Sequence, residues 1–274
     1  FLLTQLRDQV GAELSDEILN ATENTETEII AQRRRVADLK KRLRAIGTPD
    51  AIQLWGIAEF LLKKSIWIIG GDGWAYDIGF GGLDHVLSTG ENVNIFVLDT
   101  EVYSNTGGQK SKSTPRGSSA KFSIKGKTTS KKDLAWQAIA HGNAYVAQIA
   151  LGANDVHTVK TIMEAEAFPG PSLIIAYSHC IAHGYDMGDG MHHQADAVKS
   201  GYWPLFRYNP LKEKGTRFTL DSKEPSIPVS DFMYEENRFN FIKNQYPESA
   251  KEFLAEEMLD VKSRWDRLGL LKGL

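Results

Sequence analysis

The stretch that decides the fold is Ile66-Trp67-Ile68-Ile69-Gly70-Gly71-Asp72-Gly73, a short apolar run that ends in glycines around one carboxylate. The apolar run predicts a buried strand, and the residues after the glycines predict a helix. A turn between a strand and a helix presents free backbone N–H groups to a phosphate and a carboxylate to a metal ion. Glycine permits close approach of the backbone to a ligand, or a positive φ. Taken alone, such a turn is more often an ordinary loop.

A second apolar run covers residues 93–98 and leads into Asp99 and Thr100, which lies 28 residues after Asp72. One strand–helix–strand unit takes about 30 residues and brings the carboxyl ends of two parallel strands to one edge of the sheet. Mg²⁺ takes oxygen ligands and shares them with phosphate. The spacing therefore predicts a metal–pyrophosphate site between Asp72 and Thr100.

The segment Gly70-Gly71-Asp72-Gly73-Trp74-Ala75-Tyr76-Asp77-Ile78-Gly79, together with Tyr103-Ser104-Asn105-Thr106-Gly107-Gly108-Gln109, resembles the C-terminal thiamine-diphosphate-binding region of the pyruvate:ferredoxin (flavodoxin) oxidoreductases. The resemblance covers nearly the whole chain and is densest from about residue 64 to 185. Most thiamine-diphosphate enzymes have asparagine at the position of Thr100, whereas this branch has threonine. The resemblance implies an α/β fold with a parallel sheet and helices on both faces, an N-terminal helical segment and a C-terminal extension.

The periodicity of apolar residues predicts the same class of fold. Helices are expected over 15–46, 49–63, 74–88, 133–150, 155–168 and 246–270, and strands over 66–69, 93–98 and 172–177. Right-handed crossovers place the loops after the three strands at one edge. We expect a helical lead-in over 1–48 from a missing upstream region, a cofactor-binding core over 49–210, and a C-terminal arm and helix over 211–274.

The composition suits a soluble globular region, with 42% hydrophobic residues, 24% charged residues and a net charge of −3. This charge argues against nucleic acid and anionic membranes as partners, and no apolar run is long enough to span a bilayer. The single cysteine excludes an intramolecular disulfide and favours a reducing compartment, the cytoplasm or an organelle such as a hydrogenosome. The chain begins without methionine or a signal peptide, and we expect it to continue a longer chain.

The resemblance implies the site residues. Asp72, the Thr100 hydroxyl and the Val102 carbonyl are expected to bind Mg²⁺, with diphosphate oxygens and water completing an octahedron. Asn105 is expected to act near the thiazolium ring, because an amide both donates and accepts hydrogen bonds without a change of charge. A turn-forming role is the alternative for Asn105. The expected contacts to the cofactor are Gly71, Asp72, Gly73, Trp74, Thr100, Glu101, Val102, Tyr103, Ser104 and Asn105.

Two further segments carry charged or metal-binding side chains. Residues 110–132 contain eight basic residues and no acidic one, which indicates either a lid or anion-binding patch, or a solvated loop. Residues 179–193 contain Cys180 and four histidines, a weak zinc pattern. The resemblance instead implies that Cys180 is the fourth ligand of a [4Fe–4S] cluster whose other three cysteines lie upstream, so this segment holds one ligand only. The histidines are then expected to be hydrogen-bonding loop residues.

The resemblance implies oxidative decarboxylation of pyruvate to acetyl-CoA and CO₂, with electrons passing through [4Fe–4S] clusters to ferredoxin or flavodoxin. The expected cofactors are thiamine diphosphate, Mg²⁺ and the cluster. The expected partners are pyruvate, coenzyme A, the electron carrier, the remaining domains of the same enzyme and a second copy in a homodimer. Two alternatives remain open, namely a thiamine-dependent 2-oxo acid decarboxylase or transferase without clusters, and an inactive fragment or interaction module.

Overall fold

A computed structural model describes residues 1–273 of the chain, which divides into two compact units, Phe1–Ser65 and Ile66–Leu274. The first unit is helical. Its helices are α1 (Leu2–Gln5), α2 (Arg7–Val10), α3 (Ala12–Leu19), α4 (Glu26–Ile46) and α5 (Pro49–Ile57). The helix predicted over 15–46 is interrupted between α3 and α4. The Thr25 side chain and Glu28 form a capping box, which begins α4 at Glu26. The division of the chain at residues 48 and 210 stays a prediction.

The second unit is a six-stranded sheet with helices on both faces. Its strands are β1 (Trp67–Gly71), β2 (Asn94–Asp99), β3 (Tyr145–Ile149), β4 (Ser172–Tyr177), β5 (Phe206–Tyr208) and β6 (Phe218–Leu220), in the order β1-β2-β4-β3-β5-β6. Its helices are α6 (Phe80–Thr89), α7 (Leu134–Ala140), α8 (Asp155–Ala167), α9 (Gly190–Lys199), α10 (Val229–Met233), α11 (Asn237–Gln245) and α12 (Pro247–Leu271). The first four strands pair in parallel, and β5 is antiparallel to its neighbours.

Successive residues of β3 show how the two faces of the sheet are covered. Val146 packs in one apolar cluster with Ala138 of α7, and Ala147 packs in another with Ala165 of α8. This alternation buries the strand on both sides, as expected where helices cover both faces of a sheet. The predicted α/β fold with a largely parallel sheet is therefore confirmed, and the antiparallel β5 is an addition to it.

The predicted helix over 133–150 is wrong in its second half. Helix α7 ends at Ala140, Gly142 turns the chain with φ of 76°, and Tyr145–Ile149 forms the central strand β3. All five residues of β3 are buried. A strand buried on both faces has no polar alternation, so its apolar run cannot be told from a buried helix by periodicity. None of the helices among residues 1–273 has the length and apolarity that a bilayer crossing requires.

Glu257 of α12 is a buried carboxylate that destabilises the fold at high pH. Its side chain is 1% exposed, and its Oε2 finds no hydrogen-bond partner among the described residues. Burial raises the pKa of Glu257 to about 7, opposed in part by Arg264. Because the folded pKa lies above the unfolded value near 4.5, the stability contributed by the protonated form is lost as pH rises from about 4.5 to 7.

We therefore expect Glu257→Gln to raise the free energy of unfolding more at pH 8 than at pH 5, by roughly 1–3 kcal/mol. Urea unfolding of the chain at the two pH values measures this difference. Glu252→Gln, at an exposed position on the same helix, is the matched control and should change neither value by more than about 0.5 kcal/mol. An equal effect of Glu257→Gln at both pH values would contradict the assignment.

Candidate cofactor and metal site

Three oxygen atoms meet where β1 and β2 end. Asp72 directly follows β1, Thr100 directly follows β2, and the register pairs Gly71 with Leu98. The Thr100 Oγ1 lies 2.9 Å from Asp72 Oδ1 and 3.0 Å from the Val102 carbonyl oxygen. Ligands at about 2.1 Å from a Mg²⁺ ion are about 3.0 Å apart along an octahedral edge. In the structure these two distances are hydrogen bonds of the Thr100 hydroxyl, and the same spacing would suit neighbouring ligands of one Mg²⁺ ion.

The chain reverses at Glu101 to bring the Val102 carbonyl back to Thr100. Glu101 has a φ of 59°, a left-handed conformation that is uncommon for a residue with a side chain. Its carboxylate is fully buried and accepts hydrogen bonds from Lys131 (2.9 Å), Tyr202 (2.8 Å) and Arg238 (2.6 Å). These contacts hold the unfavourable backbone conformation that the oxygen cluster needs.

The charges around Glu101 keep it ionised. Burial alone would raise the pKa of Glu101, but Lys131 and Arg238 outweigh it and bring the pKa below its usual range. Its backbone is also engaged, since the amide donates to Asp99 Oδ1 at 3.0 Å and the carbonyl accepts from Thr114 at 2.6 Å. The polar groups of Glu101 thus face the interior, and its expected contact with the cofactor stays a prediction.

Asp72 is 1% exposed, and its second carboxylate oxygen, Oδ2, accepts a hydrogen bond from Ser111 Oγ at 2.7 Å. Burial, reinforced by the nearby Asp99, raises the pKa of Asp72 to about 7, and the bonds from Ser111 and Thr100 oppose this rise. Burial thus favours the protonated form of Asp72, and a bound dication would favour the ionised form.

The turn at 111–114 supports the site, and the sequence reasoning missed it. Besides Ser111, Ser113 Oγ donates to Asp99, and Thr114 Oγ1 donates to the Glu101 carbonyl. The run Ser-Lys-Ser-Thr places hydroxyls close together, but no spacing rule connects them to a carboxylate 39 residues earlier. These hydroxyls fix the two strand ends relative to each other.

The glycines of the turn make room for aromatic rings. A Cβ at Gly70 would lie 2.5 Å from the Trp74 ring, and a Cβ at Gly73 would collide with the Tyr103 ring. Gly70, Gly71 and Gly73 all have ordinary φ values. Aromatic rings therefore pack on the backbone at Gly70 and Gly73, and a positive φ is not the reason for these glycines. The expected close approach of a ligand to this turn stays a prediction.

The loop after β2 carries the remaining predicted residues. Asn105 lies at its exposed tip, and its amide has no hydrogen-bond partner among residues 1–273. Ser104 Oγ lies 3.1 Å from the sulfur of Cys180, which is 8% exposed in the loop after β4. The structure thus brings Cys180 to the same edge as Asp72 and Thr100, on a neighbouring loop.

Three of the four histidines near Cys180, namely His179, His183 and His193, form hydrogen bonds within the protein. The expectation that they lie in a loop is wrong for His192 and His193, which belong to α9. His183 Nε2 lies 2.7 Å from the Thr100 carbonyl oxygen, and His193 lies within 2.8 Å of both Glu235 and Glu236. Burial and the charge of Arg238 lower the pKa of His183 to about 4, so its ring is neutral at pH 7. Within residues 1–273 no group of three or more His, Cys, Asp or Glu side chains is arranged to hold a metal ion.

The basic segment 110–132 is packed into the second unit. Lys127 Nζ donates to the carbonyls of Lys112, Thr114 and Ser130, and burial lowers the pKa of Lys127 to about 8. Lys131 is buried and pairs with Asp99 and Glu101. The expectation of a solvated loop is therefore wrong for Lys127 and Lys131, which are packed into the second unit. Residues 121–125 are largely exposed, and a lid or anion-binding patch there stays a prediction.

Comparison with known proteins also indicates a thiamine-diphosphate-binding region. The family described as "Thiamine pyrophosphate enzyme, C-terminal TPP binding domain" matches residues 51–176, which include both Asp72 and Thr100. A pyruvate-flavodoxin oxidoreductase of Trichormus variabilis is 54% identical over 270 residues, covering 96% of this chain and 23% of the relative. The chain belongs to the pyruvate:ferredoxin (flavodoxin) oxidoreductase family and corresponds to its thiamine-diphosphate-binding region.

Two further relatives have related names. A pyruvate:ferredoxin oxidoreductase of Moorella thermoacetica is 53% identical over 211 residues, covering 76% of this chain and 18% of the relative. A pyruvate dehydrogenase [NADP(+)] of Cryptosporidium parvum is 49% identical over 223 residues, covering 77% of this chain and 11% of the relative. The chain thus spans less than a quarter of the length of these curated relatives.

Proposed function

We propose that this chain provides the magnesium–diphosphate end of the thiamine site in an enzyme that oxidatively decarboxylates pyruvate. The acetyl group passes to coenzyme A, giving acetyl-CoA and CO₂, and the electrons pass to a separate acceptor. The observation that carries the proposal is the meeting of Asp72, Thr100 and the Val102 carbonyl with octahedral-edge spacings of 2.9 and 3.0 Å. The names of relatives at 46–54% identity support the substrate.

Within this proposal, Asp72 Oδ1, Thr100 Oγ1 and the Val102 carbonyl bind Mg²⁺. The backbone of Gly71, Gly73 and Trp74 contacts the diphosphate, since the first N–H groups after a strand-to-helix turn lack intrahelical partners. Further contacts come from the loop after β2, over residues 101–105. When bound, thiamine diphosphate supplies an electron sink for loss of CO₂ from a 2-oxo acid.

Asn105 is proposed as the catalytic residue of this segment. Its exposed, unpartnered amide is free to hold an oxygen of the substrate, donating one hydrogen bond and accepting another. Preorganised donors of this kind stabilise charge that develops on an oxygen during reaction. The Tyr103–Gln109 bridge and the Gly108 N–H bond to the Tyr103 carbonyl, 2.9 Å long, fix the base of the loop that carries Asn105.

Cys180 is proposed as one ligand of a [4Fe–4S] cluster, with the other three ligands in the remaining domains of the enzyme. Its sulfur lies 3.1 Å from the Ser104 hydroxyl and accepts a hydrogen bond from the Ala182 N–H at 3.4 Å. Hydrogen bonds to the sulfurs are a regular feature of cluster sites. The cluster would lie next to the loop that carries Asn105.

The electron acceptor is proposed to be ferredoxin or flavodoxin, as in the names of most of the relatives. NADP⁺ is a second candidate, because the Cryptosporidium parvum relative with that name shares the same segment. We further propose that the enzyme works in the cytoplasm as a homodimer.

The proposed activity is tested on the complete enzyme that carries this chain. We expect reduction of ferredoxin or flavodoxin that requires pyruvate, coenzyme A, Mg²⁺ and thiamine diphosphate together. Release of CO₂ that proceeds without an electron acceptor or coenzyme A would favour a simple decarboxylase. Absence of any pyruvate-dependent reaction in cofactor-loaded enzyme would contradict the proposal.

Ser111→Ala tests whether the hydrogen bond from Ser111 supports Asp72 as a metal ligand. Loss of its hydrogen bond to Asp72 Oδ2 frees the carboxylate to rotate, and losses of this type cost about 10–100-fold in metal affinity. Equilibrium dialysis of the complete enzyme against Mg²⁺ and thiamine diphosphate measures the change. Ser119→Ala removes an exposed hydroxyl from the same segment and should leave the affinity unchanged. Equal affinities for both variants would refute the role of Ser111.

A further inference from the structure

The peptide group between Thr100 and Glu101 is held by a side chain on each side. Its N–H, which belongs to Glu101, donates to Asp99 Oδ1 at 3.0 Å. Its carbonyl, which belongs to Thr100, accepts a hydrogen bond from His183 Nε2 at 2.7 Å. This peptide directly precedes the left-handed Glu101, with its φ of 59°. Its orientation therefore sets the direction in which the chain returns from Thr100 to Val102.

His183 reaches this peptide from a different loop, and its own backbone is fixed there. It ends a short 3₁₀ turn, Ile181–His183, in the loop after β4. Gly184 follows with a φ of 78°, and its carbonyl accepts a hydrogen bond from the Asn237 N–H at 3.2 Å. A Cβ at Gly184 would lie 2.7 Å from the Asn237 Cβ. The turn is thus packed closely against the start of α11, which fixes the place of the imidazole ring.

The imidazole of His183 uses its hydrogen-bonding capacity on the Thr100 peptide. The side chain is fully buried, and its Nδ1 has no hydrogen-bond partner among residues 1–273. The Thr100 carbonyl can only accept, so Nε2 carries the proton. Burial of a polar ring costs free energy, which one hydrogen bond offsets only in part. Packing alone would therefore favour an apolar residue here, and such a residue would lack the bond to Thr100.

We propose that His183 is a positioning residue for the magnesium ligands and acts through the Thr100 peptide. This inference rests on the proposed metal site. The Thr100 hydroxyl keeps its distances of 2.9 Å to Asp72 and 3.0 Å to the Val102 carbonyl only while this peptide keeps its orientation. Residues that bond to metal ligands orient them in this way. His183 thus arranges two of the three ligands without being a ligand itself.

The sharpest test compares His183→Gln with His183→Asn in the complete enzyme. Both variants carry an amide. Glutamine can place its N–H near the position of Nε2, whereas asparagine is one methylene shorter and does not reach the Thr100 carbonyl. Equilibrium dialysis with saturating thiamine diphosphate measures the affinity for Mg²⁺. We expect His183→Asn to lose about 10–100-fold in affinity, and His183→Gln to keep most of it.

Electron paramagnetic resonance of bound Mn²⁺ separates a positioning role from a merely structural one. The spectrum reports the arrangement of the ligands, and we expect it to change in His183→Asn and to stay close to that of the unmodified enzyme in His183→Gln. A merely structural histidine would lower the stability of the metal-free enzyme in urea and leave the Mn²⁺ spectrum unchanged. His192→Gln, at an exposed position on α9, is the matched control and should change neither affinity nor spectrum.

Equal affinities for His183→Gln and His183→Asn, or an unchanged Mn²⁺ spectrum in His183→Asn, would overturn the inference. If His183→Asn does not fold, His183→Met takes its place, because it fills the site without a donor. Asp72→Asn separates this failure from failure of the proposed function. If Asp72→Asn loses the metal while the His183 variants agree, the metal site stands and only the role of His183 falls. If Asp72→Asn keeps the metal, the proposed site itself falls.

Discussion

Replacing Asp72 with asparagine is expected to abolish the Mg²⁺-dependent retention of thiamine diphosphate by the complete enzyme. Asparagine keeps the shape of the side chain but removes the single carboxylate of the three-oxygen cluster. A neutral amide oxygen is a weaker ligand for Mg²⁺ than a carboxylate, and the cluster has no other protein carboxylate to replace it. Changing residues that merely support a metal ligand costs up to about 100-fold in affinity, so loss of the ligand itself should cost at least that much.

The cofactor content of purified enzyme, measured after gel filtration in Mg²⁺ buffer, tests this expectation. Asp84→Asn is the control, because Asp84 is an exposed acid that pairs with His141 on the surface. Asp72→Asn should not lower the thermal stability of the metal-free protein, since it removes the repulsion between two buried carboxylates, Asp72 and Asp99. Normal cofactor content in Asp72→Asn would show that the metal is bound elsewhere.

Replacing Cys180, the proposed cluster ligand, with serine is expected to remove the [4Fe–4S] cluster that it binds. Thiamine diphosphate binding should stay largely intact. A [4Fe–4S] cluster needs four ligands, usually thiolates, and a neutral serine hydroxyl is a poor substitute. Asp72 and Thr100 do not contact the Cys180 side chain directly, so their site should persist. Visible absorbance and iron content report the cluster, and cofactor content reports the thiamine site.

In Cys180→Ser, the absorbance and iron of the cluster should be lost, while the thiamine diphosphate content should stay largely unchanged. Loss of both signals would mean that the loop after β4 is needed for folding of the site, and a second variant, Cys180→Ala, would then show the same joint loss. Retention of full absorbance and iron would contradict ligation by Cys180.

The strands that position the site could be predicted from the sequence for a clear reason. β1, β2 and β4 are apolar runs that end in turn residues, and the spacing of Asp72 and Thr100 matches one strand–helix–strand unit. Strand β3 was missed because all its residues are buried and it follows α7 after a turn at Gly142. Local periodicity carries no information on which buried run joins a sheet.

The interior of the site could not be predicted, because its contacts join residues that are distant in sequence. Glu101 meets Lys131 and Arg238, which lie 30 and 137 residues later. The sequence gives no partner for Ser111 within its basic segment, whereas in the structure its hydroxyl bonds to Asp72, 39 residues earlier. Thr100 and Val102 are predicted as ligands from the family resemblance, since spacing alone could not select them and a backbone carbonyl does not depend on the residue type.

The central claim is that Asp72, Thr100 and Val102 share one divalent ion, and a single diffraction measurement tests it most directly. Crystals of the complete enzyme with thiamine diphosphate and Mn²⁺ in place of Mg²⁺ would give an anomalous peak at the metal. We expect that peak about 2.2 Å from Asp72 Oδ1, Thr100 Oγ1 and the Val102 carbonyl oxygen. A manganese peak that lies beyond bonding distance of these three oxygens would contradict the account.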